Sequence, residues 1–276
     1  MDDAPERQRW LAWVSFDGTG FSGFQRQDGP RTVAGELEAG WQRWLGESVT
    51  VRSSSRTDAG VHARRMPVVV QTERQLPAKA IVLGWNHALP EDLAIQQAEA
   101  VADDFHVRHD AIGKRYVYRI WNARARDPRR RLDHWHVPVP LDVERMARAA
   151  TAFVGDHDFA AFRAATCSAL STRRTMRGVE IRGRAPAIEV VVEGNAFLQN
   201  MVRIMVGTLV AIGRGTLAED AIVRALGSGA RQDAGLTAPA LGLELDEVFY
   251  GPHGARQGLE HKKLLARLEG LEPSAD

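Results

Sequence analysis

An α+β fold is expected for this chain: two ferredoxin-like β-α-β-β-α-β halves around a central, mainly antiparallel sheet. Three observations lead there. Strand-like runs alternate with segments of helical period, the order β-α-β-β-α-β occurs twice, and the two passes share little sequence beyond that order. The halves are placed at 1–106 and 107–250, followed by a polar C-terminal tail at 251–276.

In the first half, WLAWVSF (10–16) is rich in β-formers and reads as a strand. Val33, Leu37, Trp41 and Leu45 recur at helical spacing, with Thr32 as N-cap, so 33–45 is a helix. SVTVR (48–52) and MPVVVQT (66–72) are predicted strands, Pro77–Leu89 a helix and LAIQQAEAV (93–101) a strand. In the second half KRYVYRIW (114–121) alternates as a strand, and Asp142 caps a helix that Gly155 stops. MRGVEIR (176–182) and AIEVVVE (187–193) form a hairpin, and Phe197–Ile212 is a strongly apolar helix. A short helix is expected from Thr216 with Glu219 as its capping-box partner, LELDEVFY (243–250) as the last strand, and a surface helix over 259–269.

With 44% hydrophobic and 26% charged residues the chain can bury a real core. No apolar run approaches 18 residues, and the polar start MDDAPERQRW is unlike a signal peptide, so no membrane association is expected. Cys167 is the single cysteine, which suits a reducing cytoplasm. The net charge of +1 favours no class of partner, but its distribution does. Nine Lys or Arg lie between Arg108 and Arg131, including Lys114, Arg115, Arg124 and Arg126, against Asp110 and Asp127. Further groups are Arg52, Arg56, Arg64 and Arg65, and Arg173, Arg174 and Arg177. Arginine forks match phosphates and stack on bases, so these clusters suit nucleic acid if they converge on one face; otherwise they are solvated charge.

The stretch SSSRTDAGVHARRMPVVV (53–70) sets Asp58 on an Ala-Gly turn flanked by arginines. As local structure it is a turn, since Asp bonds its own backbone and Gly accepts positive φ. On the strand at 114–121, Tyr116, Tyr118 and Ile120 share one face and Arg115, Val117 and Arg119 the other. The tyrosines either pack in the core or form a stacking platform for a base. Arg203 interrupts an apolar helix, and it either snorkels to the surface or meets a carboxylate. GDHDF (155–159) carries a His-Asp pair of the kind used by metal-dependent hydrolases, without the remaining ligands, and Asp58 with His62 is too small a set to hold a metal.

Six segments in order carry a resemblance: FDGTGFSGFQRQ (16–27), RTDAGVHA (56–63), GWNHALP (84–90), DDFHVRHDAIGKRYVYRIWN (103–122), NAFLQNMVRIMVGTL (195–209) and TAPALGLELDEVFY (237–250). Over about residues 10–250 the chain resembles the tRNA pseudouridine synthase A family. The resemblance implies the pseudouridine synthase fold and the isomerisation of uridine to pseudouridine at positions 38–40 of the tRNA anticodon stem-loop. It implies a homodimer, no cofactor and no metal. Asp58 falls on the family's catalytic aspartate, Tyr116 on its active-site tyrosine and Arg203 on the arginine that pairs with the aspartate. Arg56 falls on the arginine associated with displacing the target base. His62, Tyr118, Arg115, Arg124 and Arg126 are taken as further RNA contacts.

The chain departs from the family pattern at Phe16, Phe21 and Phe24, where Tyr, Tyr and Trp are usual, and at Ser54-Ser55, where Ala-Gly is usual. Gln199-Asn200 stands where a His pair is common. Two other functions fit parts of the sequence: a non-catalytic RNA-binding protein on the same scaffold, and an aspartate-dependent hydrolase suggested by GDHDF.

Overall fold

The computed structural model describes residues 7–251. The first half runs β1 (Gln8–Phe16), α1 (Val33–Leu45), β2 (Arg52–Ser53), β3 (His62–Thr72), α2 (Ala78–Ala88) and β4 (Leu93–Ala100). The second runs β5 (Ala111–Trp121), β6 (Trp135–His136), α3 (Val143–Ala150), β7 (Gly155–Asp158), β8 (Arg173–Arg184), β9 (Ala187–Gly194), α4 (Met201–Gly213), α5 (Ala221–Ser228) and β10 (Leu243–Tyr250). The helix expected over 259–269 lies outside the described residues.

All strands join one sheet in the order β4-β1-β3-β10-β5-β9-β8-β7, with β2 paired to β3 and β6 to β5. Each half therefore shows the ferredoxin-like arrangement, its last strand beside its first, then its third and second. The halves meet where β10 runs parallel to β3, through the pairs Glu244↔His62 and Leu245↔Ala63. The other main pairings are antiparallel, including β1 with β3 and β5 with β9.

The helices follow from local chemistry. In α1 the Thr32 hydroxyl accepts from Gly35 N at 3.3 Å, and Gly46 at φ 68° ends the helix in the left-handed region. Trp41 of α1 meets Trp44 and Trp85 edge-on, with centroids 5.4 and 4.8 Å away, which locks α1 to α2. Every residue of α4 except Arg203 and Ala211 is buried, as its apolar composition demands of a central helix.

Four sequence expectations change. The strand at 48–52 shrinks to Arg52–Ser53, because the Val51 N–H goes to Glu38 Oε1 (3.0 Å) instead of a neighbouring strand. The apolar helix starts at Met201, not Phe197, because Asn200 sits at φ 61° and breaks the helical path before it. The helix expected from Thr216 starts at Ala221; the Thr216 hydroxyl bonds back to Ala211 O, and Glu219 pairs with Arg148 at 2.9 Å. The α-helix after Asp142 ends at Ala150 and tightens into a 3-10 turn at Thr151–Phe153. No membrane-crossing helix occurs among the described residues.

The segment 235–238 runs tightly along α4. Gly235 N donates to the Thr208 hydroxyl at 2.8 Å, and a Cβ on Gly207 would lie 1.8 Å from Leu236 O. Gly207→Ala must push backbone away from backbone, so a loss of about 1–3 kcal/mol is expected in urea unfolding. An unchanged midpoint would mean that this segment does not hold α4 in place.

Candidate active site

Asp58 lies in the loop between β2 and β3. Val61 N donates to Asp58 O at 3.1 Å, and Gly60 between them has φ 77°, which closes a turn that only glycine adopts without strain. The loop is pinned from the 16–24 segment: Phe24 N donates to Thr57 O (3.1 Å) and Gly60 N to Phe21 O (3.2 Å). Gly23, at φ 89°, permits this approach, since a Cβ there would lie 2.7 Å from Thr57 O. Phe16, Phe21 and Phe24 are buried beneath the loop, so the tyrosine hydroxyls missing at 16 and 21 and the indole N–H missing at 24 cost no contact with the outside.

Arg203, in the first turn of α4, reaches Asp58. Its Nη1 lies 3.7 Å from Asp58 Oδ2, and its guanidinium is oriented by two bonds, Nε to Ala238 O (2.7 Å) and Nη1 to Asn200 Oδ1 (2.8 Å). The Asn200 N–H also faces the Asp58 carboxylate and favours its charged form. Asn200 thus supplies the left-handed entry to α4, a hold on Arg203 and a donor to the aspartate. Burial pushes the Asp58 carboxyl above its ordinary value, while Arg203 and the Asn200 N–H pull against that rise.

Tyr116 comes from β5 and is buried beside Ser55, its ring edge-on to Phe197 with centroids 5.0 Å apart. Burial raises its hydroxyl to about 12; the Ser55 hydroxyl counters this and the Asp58 charge adds to it. The phenol is therefore protonated at neutral pH, able to donate or to stack but not standing as a phenolate.

Asp58, Tyr116, Phe197 and Asn200 line a cleft of about 1640 Å³ formed by residues of both halves, with Arg203 behind Asp58. Small-molecule sites are about 300–1,000 Å³, so this one suits part of a larger substrate. Each sequence cluster of cations sends members here: Arg52 and Arg56 from the first, Arg108 and Lys114 from the second, Arg174 from the third. Arg56 is exposed and makes no hydrogen bond or ion pair with the described residues, leaving its guanidinium free in the cleft.

Other expected RNA contacts lie elsewhere. Tyr118 is fully buried and donates to Pro239 O at 2.7 Å, so it is a core tyrosine and offers no face for stacking. His62 is buried, accepting from Gly18 N at Nδ1 (3.1 Å) and facing Leu132 O and Leu241 O through Nε2 (2.9 and 3.0 Å), which spends the ring on backbone groups. Arg115 points to the opposite sheet face, where it pairs with Glu193 (2.6 Å) and Asp246 (3.4 Å). Arg124 and Arg126 are exposed on the loop after β5 and do not line the cleft.

The His-Asp pair of GDHDF is spent as well. Asp156 pairs with Arg173 at 2.7 Å and His157 Nε2 lies 2.9 Å from Val154 O. Among the described residues no group of three or more His, Cys, Asp or Glu could hold a metal ion. Sequence reasoning placed Lys114 only within a cation cluster and missed Phe197 and the contacts Asn200 makes at the cleft. For Lys114 a signal existed, because it shares the alternation of Tyr116 on its strand.

Tyr118 gives a direct test of its placement. Tyr118→Phe deletes one buried hydrogen bond and should cost about 1 kcal/mol in urea unfolding while leaving RNA affinity unchanged. A clear loss of RNA affinity at unchanged stability would restore Tyr118 as a stacking contact.

Comparison with known proteins places the chain in a family. Residues 12–110 and 149–251 match the family described as tRNA pseudouridine synthase. A tRNA pseudouridine synthase A of Myxococcus xanthus is 45% identical over 248 residues, covering 89% of this chain and 94% of that protein. One from Pelobacter propionicus is 47% identical over 237 residues, covering 86% of this chain and 97% of that protein. Another, from Geotalea daltonii, is 45% identical over the same length. With matches of this extent in both halves, the chain belongs to the tRNA pseudouridine synthase family.

Proposed function

We propose that this chain isomerises uridine to pseudouridine at positions 38–40 of the tRNA anticodon stem-loop, with Asp58 acting on the ribose. Membership of the family makes the chain an isomerase that converts uridine to pseudouridine in tRNA. The observation that carries the assignment of roles is the Asp58 carboxylate, held against Arg203 and the Asn200 N–H beside the buried ring of Tyr116.

The reaction breaks the bond from C1′ to uracil N1, turns the base and joins C5 to C1′. The C5 proton leaves and N1 gains one, so no electrons are exchanged with a partner. An ionised Asp58 either attacks C1′ or takes a ribose proton, and both routes need the carboxylate charged. Arg203 and the Asn200 donor favour that charged form against burial. The target uridine leaves its stack to reach Asp58, with Arg56 free to fill the space it vacates and Tyr116 flanking the turned uracil. In this reading the N-terminal half (1–106) contributes the aspartate loop and the C-terminal half (107–250) Tyr116 and Arg203. Following the resemblance, two copies are proposed to act as a homodimer in the cytoplasm; the mass of the free enzyme by light scattering tests the dimer.

Unmodified tRNA carrying tritium at uracil C5 tests the reaction. Wild-type enzyme should release tritium without changing the RNA mass. Asp58→Asn should bind the same tRNA within about 3-fold but lose turnover by about 10³-fold or more. Tritium release retained by Asp58→Asn would leave a role for the cleft in binding only.

The pH profile tests the Arg203 assignment. Asp58 works ionised, so kcat/KM should fall as pH drops through its raised pKa, above the usual aspartate range. Arg203 lowers that pKa, so Arg203→Met should slow the reaction and move the acid limb to higher pH. A slower variant with the limb unmoved would place Arg203 outside the control of Asp58.

A further inference from the structure

We propose that Lys114 and Arg108 form a phosphate seat at the root of the Asp58 loop, gripping one backbone phosphate of the RNA beside the target uridine. The proposal rests on the function given above and adds a specific ligand site to it. Its first support is register. Lys114 and Tyr116 share one face of β5, so the ammonium lines the cleft while Arg115 and Arg119 point away.

The second support is an unanswered charge. Arg115 and Arg119 are matched by Glu193 and Asp246, and by Glu244 and Glu189. Among the described residues no carboxylate comes within ion-pair distance of Lys114. Its one protein bond is from Nζ to Ser54 O at 2.7 Å, which uses one of three donors. A carbonyl does not neutralise an ammonium, and removing a cation from water without a counterion is costly. Burial and the nearby Arg108 charge lower the Lys114 ammonium to about 8. An anion placed between the two cations would relieve both effects.

Arg108 is the third support. It is exposed, lines the same cleft and makes no hydrogen bond or ion pair with the described residues. An exposed fork beside a half-buried ammonium provides bidentate and point-charge donors to one anion. The anion offered by an RNA backbone is phosphate. Two residues along a strand span about 6.6 Å, so a uracil at Tyr116 leaves its own backbone within reach of Lys114. The same ammonium holds Ser54 O, four residues before Asp58, so a seated phosphate also fixes the base of the catalytic loop.

The test is the salt dependence of unmodified tRNA binding to full-length protein. Lys114→Met and Arg108→Ala should each weaken binding about 10-fold near physiological salt. Each should also reduce the slope of log Kd against log salt, and the double variant should reduce it by about 0.8, the share of the one phosphate they hold. Lys114→Arg should retain the wild-type slope. Slopes unchanged in both charge-removing variants would overturn the seat, even if affinity falls. Should Lys114→Met fail to fold, Arg108→Ala decides alone, because Arg108 is exposed and holds no part of the fold. Tritium release by wild-type enzyme from the same tRNA separates the two levels: its absence sinks the function, whereas release with unchanged slopes sinks only the seat.

Discussion

The whole site hangs on a short parallel seam. Two residue pairs, Glu244↔His62 and Leu245↔Ala63, join β3 of the first half to β10 of the second. The Asp58 loop enters β3 at this point, and β10 lies directly beside β5, which carries Tyr116. Two pairs are few, and the surroundings reinforce them. On one side Arg64 bridges to Asp246 and Arg65 to Glu247; on the other Lys114 holds Ser54 O and Arg203 reaches Asp58. Within the seam His62 binds backbone groups from both halves. The histidine that the sequence suggests as an RNA contact is therefore better understood as a pin that keeps the halves in register.

Charge is partitioned by the sheet in a way that a net value of +1 conceals. On one face Arg64, Arg65, Arg115 and Arg119 interlock with Glu189, Glu193, Glu244, Asp246 and Glu247. On the other, Arg56, Arg108 and Lys114 line the cleft, and none of the three forms an ion pair among the described residues. Adjacent residues in one sequence cluster thus do opposite work. Alternation along β5 sends Lys114 one way and Arg115 the other, so a count of cations per segment cannot identify the binding surface. The number of positive charges matters less than which of them lack an internal partner.

The legibility of the sequence follows the range of the forces involved. The helix at 33–45 and the strand at 243–250 emerge with their expected bounds because capping and period are local. The strand at 48–52 fails because its pairing partner is decided by a distant carboxylate, Glu38. The start of α4 fails because a long apolar run hides the left-handed residue within it. In the site, the glycine-turned loop marks Asp58 from its own sequence, whereas Tyr118 and Tyr116 are indistinguishable by pattern. Only tertiary contacts separate them: Pro239 O consumes one hydroxyl, and the other stands at the cleft beside Ser55.

The departure at Gln199-Asn200 shows how one backbone conformation can serve the fold and the chemistry together. Asn tolerates φ 61° better than most residues, and that conformation turns the chain from the cleft wall into α4. The turn aims the Asn200 N–H at Asp58 and its side-chain oxygen at Arg203. The aspartate then faces a helix N-terminus as well as a guanidinium, and both favour its charge. Neither fully cancels burial, since the carboxyl remains above its ordinary value. Complete neutralisation would need a tighter ion pair, and a carboxylate clamped by a guanidinium is a poorer nucleophile or base. At 3.7 Å Arg203 favours the charged form of Asp58 while leaving the carboxylate unclamped, and its two other bonds hold it at that distance.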